Sequence, residues 1–244
     1  MTVLTASDFA DTGQWRLLIR IFQDGINAYL ENTHYDDVAP QLLFEEKWED
    51  EADLLKKIET AVYQNPRVLD DFAAKIIVYD IKTLFVPSSI IDEEEGKEEE
   101  IYSYIYESEP EDIFSDKDRE ITALYNPGKG IKSFVLRTFP GARITSNLME
   151  KVRSLRKDNS KDILHIFKRG EQTDFILLNK ENLVSASTHE RYLDEDILFI
   201  GLNLINVYGM NSKEIDLSWH GRKPETEDLK KFLYKHFNRV EYRV

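Results

Sequence analysis

Two hydrophobic periods run along this chain, and the elements they predict come twice in the same order. Trp15–Phe22 (WRLLIRIF) is β-rich and apolar, Gln23-Asp24-Gly25 interrupts it, and Ile26–Leu30 resumes the strand pattern. Asp-Gly between two such runs predicts a tight hairpin, because the central turn positions favour φ > 0. Gln41–Lys47 predicts a third strand. Asp50–Tyr63 carries Ala52, Leu55, Ile58 and Val62 at helical spacing with acids in the first turn, the pattern of an amphipathic helix. Lys75–Ile81 is almost continuously apolar and predicts a strand covered on both faces. Leu84–Ile91 contains Pro87 and reads as loop or edge strand. Ile101, Tyr102, Ile105 and Tyr106 form a helical stripe, and Glu120–Tyr125 predicts another buried strand. Asn126-Pro127-Gly128 is a turn, Ile131–Phe139 a helix ended by Pro140-Gly141, and Ala142–Ile144 a short strand. Ser146 is placed to cap a helix running to about Arg156.

The series then repeats. Ile163–Phe167 and Asp174–Leu178 predict a hairpin turning at Lys168-Arg169-Gly170, with a third strand near Leu183–Ser187. A helix from Asp194 to about Tyr208 is apolar around almost its whole circumference, which predicts full burial. Gly201 inside it predicts close packing, Asp194, Glu195 and Asp196 suit its positive end, and Gly209 suits its termination. Glu214–Ser218 (strand), Glu225–Phe237 (helix) and Arg239–Val244 (strand) complete the second series. Three antiparallel strands followed by helix, strand, helix, strand give a mixed five-stranded α/β sheet in each half. The expected boundaries are 1–140 for the first lobe, with an acidic insertion at about 92–120, and 141–244 for the second.

Charge sharpens this picture at one place. The 244 residues carry a net charge of −14, but Asp92–Glu120 alone holds 14 acids and three bases. That run is a solvated helix start, a mobile insertion or a dock for a basic partner, and it disfavours nucleic acid. Lys151–Arg169 is basic and reads as a solvated face or as the complement of that acidic segment. There is no cysteine, which excludes thiol chemistry. Met1–Gln14 lacks an apolar core and no apolar run reaches the roughly 20 residues of a membrane span, so the expected location is cytoplasmic.

Four stretches carry a family resemblance: the Asp24-Gly25 hairpin, Phe85-Val86-Pro87-Ser88, Phe139-Pro140-Gly141-Ala142, and the run from Leu177 through Asp196 to Asn203. The chain resembles a bacterial family of unknown function with the two-lobed, duplicated actin-like ATPase (ribonuclease H-like) fold. It is distantly similar to actin homologues of type IV pilus assembly and cell division. The resemblance implies a nucleotide between the lobes, phosphates cradled by the two hairpin turns, an Asp near each hairpin supporting Mg²⁺, and a Gly-Gly that admits adenosine.

The residues meet that expectation only in part. The first hairpin offers Asp24-Gly25, which a plain turn also explains. The second offers Lys168, Arg169 and Gly170, two bases where the fold would place an acid. The adenosine position is matched by His220-Gly221, with one glycine and a bulky Trp219 before it. Loss of the metal-supporting acid removes the main means of neutralising charge in phosphoryl transfer. Elsewhere, Pro127–Ser133 has Ile131 where a phosphate loop needs glycine, and the five histidines lack metal-ligand spacing. The expectation is therefore a cytoplasmic binding or scaffold module with a protein partner, no catalytic residue, no metal and no cofactor. The alternative is a divergent ATP-binding protein using Asp24, Gly25, Lys168, Arg169, Gly170 and Gly221.

Overall fold

A computed structural model describes the chain except for residues 1–11, 36–37, 50–51, 93–95, 107–111, 158, 170–171, 191–192, 222–225 and 244. It divides into two compact units, Met1–Ile81 with Val86–Asn147, and Lys82–Phe85 with Leu148–Val244.

In the first unit β1 (Trp15–Phe22), β2 (Gly25–Asn32) and β3 (Gln41–Lys47) form the antiparallel meander. Helix α1 (Leu54–Gln64) crosses to β4 (Ala74–Tyr79), which pairs parallel to β1. The chain continues through β5 (Leu84–Pro87), α2 (Ser88–Ile91), α3 (Lys97–Tyr106), β6 (Phe114–Asp118), β7 (Ile121–Tyr125) and α4 (Ile131–Thr138) to β8 (Arg143–Ser146). The sheet order is β3-β2-β1-β4-β8, with β5-β7-β6 as a separate three-stranded sheet. One side of β1 is wholly buried, and on the other Leu18 is buried between the exposed Arg16 and Arg20. Leu17, Ile19 and Ile21 enter the main core with Ile58, Val62, Phe134 and Val135, while Leu18 packs with Ile76 and Val78.

One expectation is corrected in this unit, one is refined, and one strand was not expected. α1 starts at Leu54, not Asp50, after Asp53 takes a left-handed φ of 53°. Leu84–Ile91, read as loop or edge strand, is an edge strand at Leu84–Pro87 followed by a one-turn helix, where Ser88 N–H donates to Glu120 O at 2.8 Å. β6 (FSDKD) had no readable apolar alternation, since Phe114 is its sole fully buried side chain; its pairing with β7 makes it a strand.

In the second unit α5 (Asn147–Arg156) precedes β9 (Asp162–Arg169), β10 (Gln172–Asn179) and β11 (Asn182–Glu190). Then come α6 (Asp194–Val207), β12 (Asp216–His220), α7 (Glu227–His236) and β13 (Arg239–Arg243). The sheet order, β11-β10-β9-β12-β13, repeats that of the first unit strand for strand. One face holds the core: Leu164, Ile166, Phe175, Leu177, Leu217 and Trp219 against Ile197, Leu198 and Ile205 of α6 and Leu233 of α7. Gly201 faces this sheet, where a Cβ would stand 3.0 Å from Leu164 Cδ2, so its place in the helix follows from packing.

α6 is not buried all round. Ile197, Leu198, Gly201 and Ile205 face the core, but Phe199 is 72% and Val207 69% exposed. The helix covers one sheet face with one side only, and its apolar outer side faces solvent. Asp196 accepts from Leu193 N–H at 3.3 Å as a cap, whereas Asp194 is buried in an ion pair with Lys168.

Candidate functional site

The first hairpin turns one residue earlier than its Asp-Gly suggests. Phe22 pairs with Gly25, so Gln23 and Asp24 are the loop, and neither has a positive φ. Gly25 opens β2, where a Cβ would lie 2.7 Å from Glu46 O. This glycine thus answers to the close approach of β3, and Asp24 stays exposed. Trp48 fixes the turn by donating from its backbone N–H to Asp24 O at 2.9 Å and from Nε1 to Gln23 O at 2.7 Å. The cavity beside it, about 190 Å³, is lined by Phe22, Asp24–Asn27 and Glu45–Lys47. It is smaller than the roughly 300 Å³ at which ordinary ligand sites begin.

The second hairpin is displaced in the opposite sense. Arg169 pairs with Gln172, so Lys168 and Arg169 are strand residues, not turn residues, and Gly170 lies outside the described residues. Consecutive strand residues point to opposite faces. Lys168 therefore reaches the helix side and pairs with Asp194 at the start of α6, while Arg169 points to the other face and pairs with Asp174 at 3.0 Å. The two bases are not brought together on one side of the sheet.

That other face is the most polar part of the unit. Asp174 is 1% exposed. It accepts from Lys151 Nζ of α5 at 2.5 Å, from Arg169 Nη2, and from Thr188 Oγ1 at 2.7 Å. Lys151 Nζ also stands 4.6 Å from the centre of the Phe167 ring, and His220 stacks on that ring at 3.9 Å between centroids. Parallel pairing sets Ser218 beside His165 and His220 beside Phe167. His165 Nδ1 lies 3.2 Å from His220 Nε2, which is 3.0 Å from Ser218 Oγ. Burial, then His220 and Arg243, pushes the His165 pKa down to about 3. Burial, then Arg243 and Lys151, lowers His220 to about 4 against a small opposing effect of Glu241. Both imidazoles are neutral near pH 7. Period-two spacing of His165, Phe167 and Arg169 on β9, matched by Ser218 and His220 on β12, was the available signal for this cluster.

The basic stretch Lys151–Arg169 finds its acids nearby. Besides the pairs above, Lys161 meets Asp216 at 3.0 Å, Arg153 meets Glu150 at 3.2 Å, and Arg156 Nε donates to Glu181 O at 2.6 Å. These partners lie in the second unit.

Gly221 follows β12 with φ +97°, and a Cβ there would stand 2.5 Å from Lys168 O. Its N–H donates to Arg243 O at 2.9 Å. Contact with β9 thus accounts for the glycine. Trp219 is fully buried in the core of its unit. The glycine turn before α4 already holds a carboxylate: Gly130 N–H donates to Asp112, and Lys132 Nζ donates to Ile113 O at 2.5 Å. Among the described residues, no group of three or more His, Asp or Glu side chains could hold a metal ion. No helix among them is long and apolar enough to cross a membrane.

Two five-stranded sheets of the same order, each with its crossover helices, define an actin-like ATPase fold. A Bacteroides thetaiotaomicron protein with that fold and unknown function is similar at 20% identity, over 96% of this chain and 93% of that one, with a TM-score of 0.74. The chain belongs to the family described as protein of unknown function DUF3822, which matches residues 5–240. The PilM–PilN type IV pilus biogenesis complex (12% identity, 93% and 87% coverage) and the ethanolamine utilization protein EutJ from Carboxydothermus hydrogenoformans (9%, 94% and 84%) both score 0.41, too low to build on. No curated protein matches.

Proposed function

We propose that this chain is a non-catalytic actin-like protein, a cytoplasmic binding or scaffold module for another protein. The observation that carries the reading is the commitment of Lys168 and Arg169, the two cations of the second hairpin, to Asp194 and Asp174 on opposite faces of the sheet. A phosphate would have to draw each base away from a buried carboxylate on its own face of the sheet. Gly25 and Gly221 agree with this reading, since the backbone of a neighbouring strand occupies the space each glycine leaves. The alternative, a divergent ATP-binding protein, needs those same residues released.

Thermal denaturation with ATP, ADP and GTP, each with and without Mg²⁺, tests the reading. A ligand at about 100 times its Kd adds about 2.7 kcal/mol of stability. The module reading expects no shift at millimolar nucleotide. Mg²⁺-dependent ATP turnover that disappears in Asp24→Asn would overturn it.

A further inference from the structure

We propose that the outward face of α3 docks a basic amphipathic segment of a partner protein, an inference that rests on the module reading above. α3 is held on one side only: Tyr102 is buried and stacks with Tyr106 at 4.7 Å. Residues three and four apart share a helix face, so Ile101, Tyr104 and Ile105 form one stripe that flanks the buried Tyr102 side and turns outward at Tyr104. Tyr104 is 84% and Ile105 52% exposed, while Ile101 is half-buried. An exposed aromatic ring beside a half-exposed β-branched side chain gives the face an apolar anchor to offer.

Charge selects the occupant. Helical spacing sets Glu98 along one edge of the stripe and Glu100 along the other. Lys97, four residues before Ile101 and on the same face, is paired with Glu100 at 2.8 Å, and with Glu98 and Glu99 the first turn of the helix keeps a net charge of −2. The surrounding sequence, Asp92–Glu120, carries a net of −11, while the other 215 residues carry −3. An apolar stripe between carboxylates complements a helix with apolar residues at i, i+3, i+4 and i+7 and Lys or Arg on both flanks. Such a field also steers a cationic partner and repels an anionic one. RNA and DNA are disfavoured by the same charge.

The test uses the full chain and two fluorescein-labelled synthetic helices of one apolar pattern, flanked in one by Lys and in the other by Glu. Fluorescence anisotropy at low salt is expected to show the Lys peptide binding at least about tenfold tighter than the Glu peptide, with affinity falling as salt rises. Tyr104→Ser with Ile105→Ser should weaken the Lys peptide about tenfold or more, as loss of an exposed anchor does. Phe199→Ser, an equally exposed apolar residue on α6, should leave binding unchanged. Glu98→Lys with Glu100→Lys should invert the peptide preference. The Tyr104 and Ile105 side chains are exposed, so an unchanged melting temperature checks the fold; if it falls, Glu98→Gln with Glu100→Gln replaces that variant and should lose the salt dependence. Equal binding of the Lys peptide by parent and variants, or no binding, overturns the proposal. ATP turnover would overturn the module reading while leaving the peptide result standing, so the two failures are distinguishable.

Discussion

Replacing His165 by Gln should flatten the pH dependence of the second unit. In the unfolded chain a histidine titrates near 6.5. In the fold, burial against His220 and near Arg243 holds His165 at about 3. His220, near Arg243, Lys151 and Glu241, is held at about 4. Both folded values lie below the unfolded one, so protons favour the unfolded chain. The stabilising difference is present above pH 6.5 and is lost as pH falls towards 3 to 4. Each proton bound only by the unfolded chain costs about 1.4 kcal/mol per pH unit. From pH 7 to pH 5, His165 alone therefore removes about 2 kcal/mol. Urea unfolding at the two pH values measures it, with Trp219 as reporter in a background where Trp15 and Trp48 are Phe. Trp219 sits in the core of this unit beside His220, so its fluorescence follows the relevant sheet. Acid effects from carboxylates are common to parent and variant and cancel in the comparison. The parent should lose about 2 kcal/mol more than His165→Gln between pH 7 and pH 5. Equal losses would refute the argument that this imidazole is kept neutral by its surroundings.

Asp174→Asn should destabilise the same unit by about 3–5 kcal/mol, because Lys151 and Arg169 are left facing each other without their shared carboxylate; a loss under about 1 kcal/mol in urea unfolding would show the cluster to be loosely held. Gly221→Ala should cost more than Gly209→Ala. Both have positive φ, worth about 1–3 kcal/mol of strain, but only at Gly221 does the new Cβ strike backbone, at Lys168 O. Equal melting temperatures for the two variants would contradict that contact.

The repeated element order was legible because hydrophobic period depends on local sequence, and both sheets follow it. Lys75–Ile81 reads as a doubly covered strand, and in β4 the successive side chains Ile76 to Tyr79 are all buried, Ile77 and Tyr79 in the main core and Ile76 and Val78 on the other side. Legibility failed where tertiary context sets the answer. β6 is a strand because β7 pairs with it, and its own residues carry almost no pattern. The outer side of α6 is apolar without being covered, so Phe199 cannot be told from Ile197 by composition. In the candidate site, spacing identified the hairpins but not their register. A shift of one residue moved Lys168 and Arg169 from a shared turn to opposite faces of a strand, and with them the chemistry they can share. Asp194 lies 26 residues beyond Lys168, so only the folded sheet brings them close, and which base meets Asp174 depends on the hairpin register.

The parallel pairing of β9 with β12 has a further consequence for the order of assembly. β9 and β10 meet through a two-residue loop and can zip locally, but Leu164 must wait for Leu217. Closing so long a loop is slow relative to forming a hairpin. During synthesis the meander of the second unit emerges with its β9 edge open, and that edge is closed only when β12 arrives. Until then Leu164 and Ile166 lack their partners Leu217 and Trp219, so a chaperone that grips exposed strands would find its substrate in that half-built sheet.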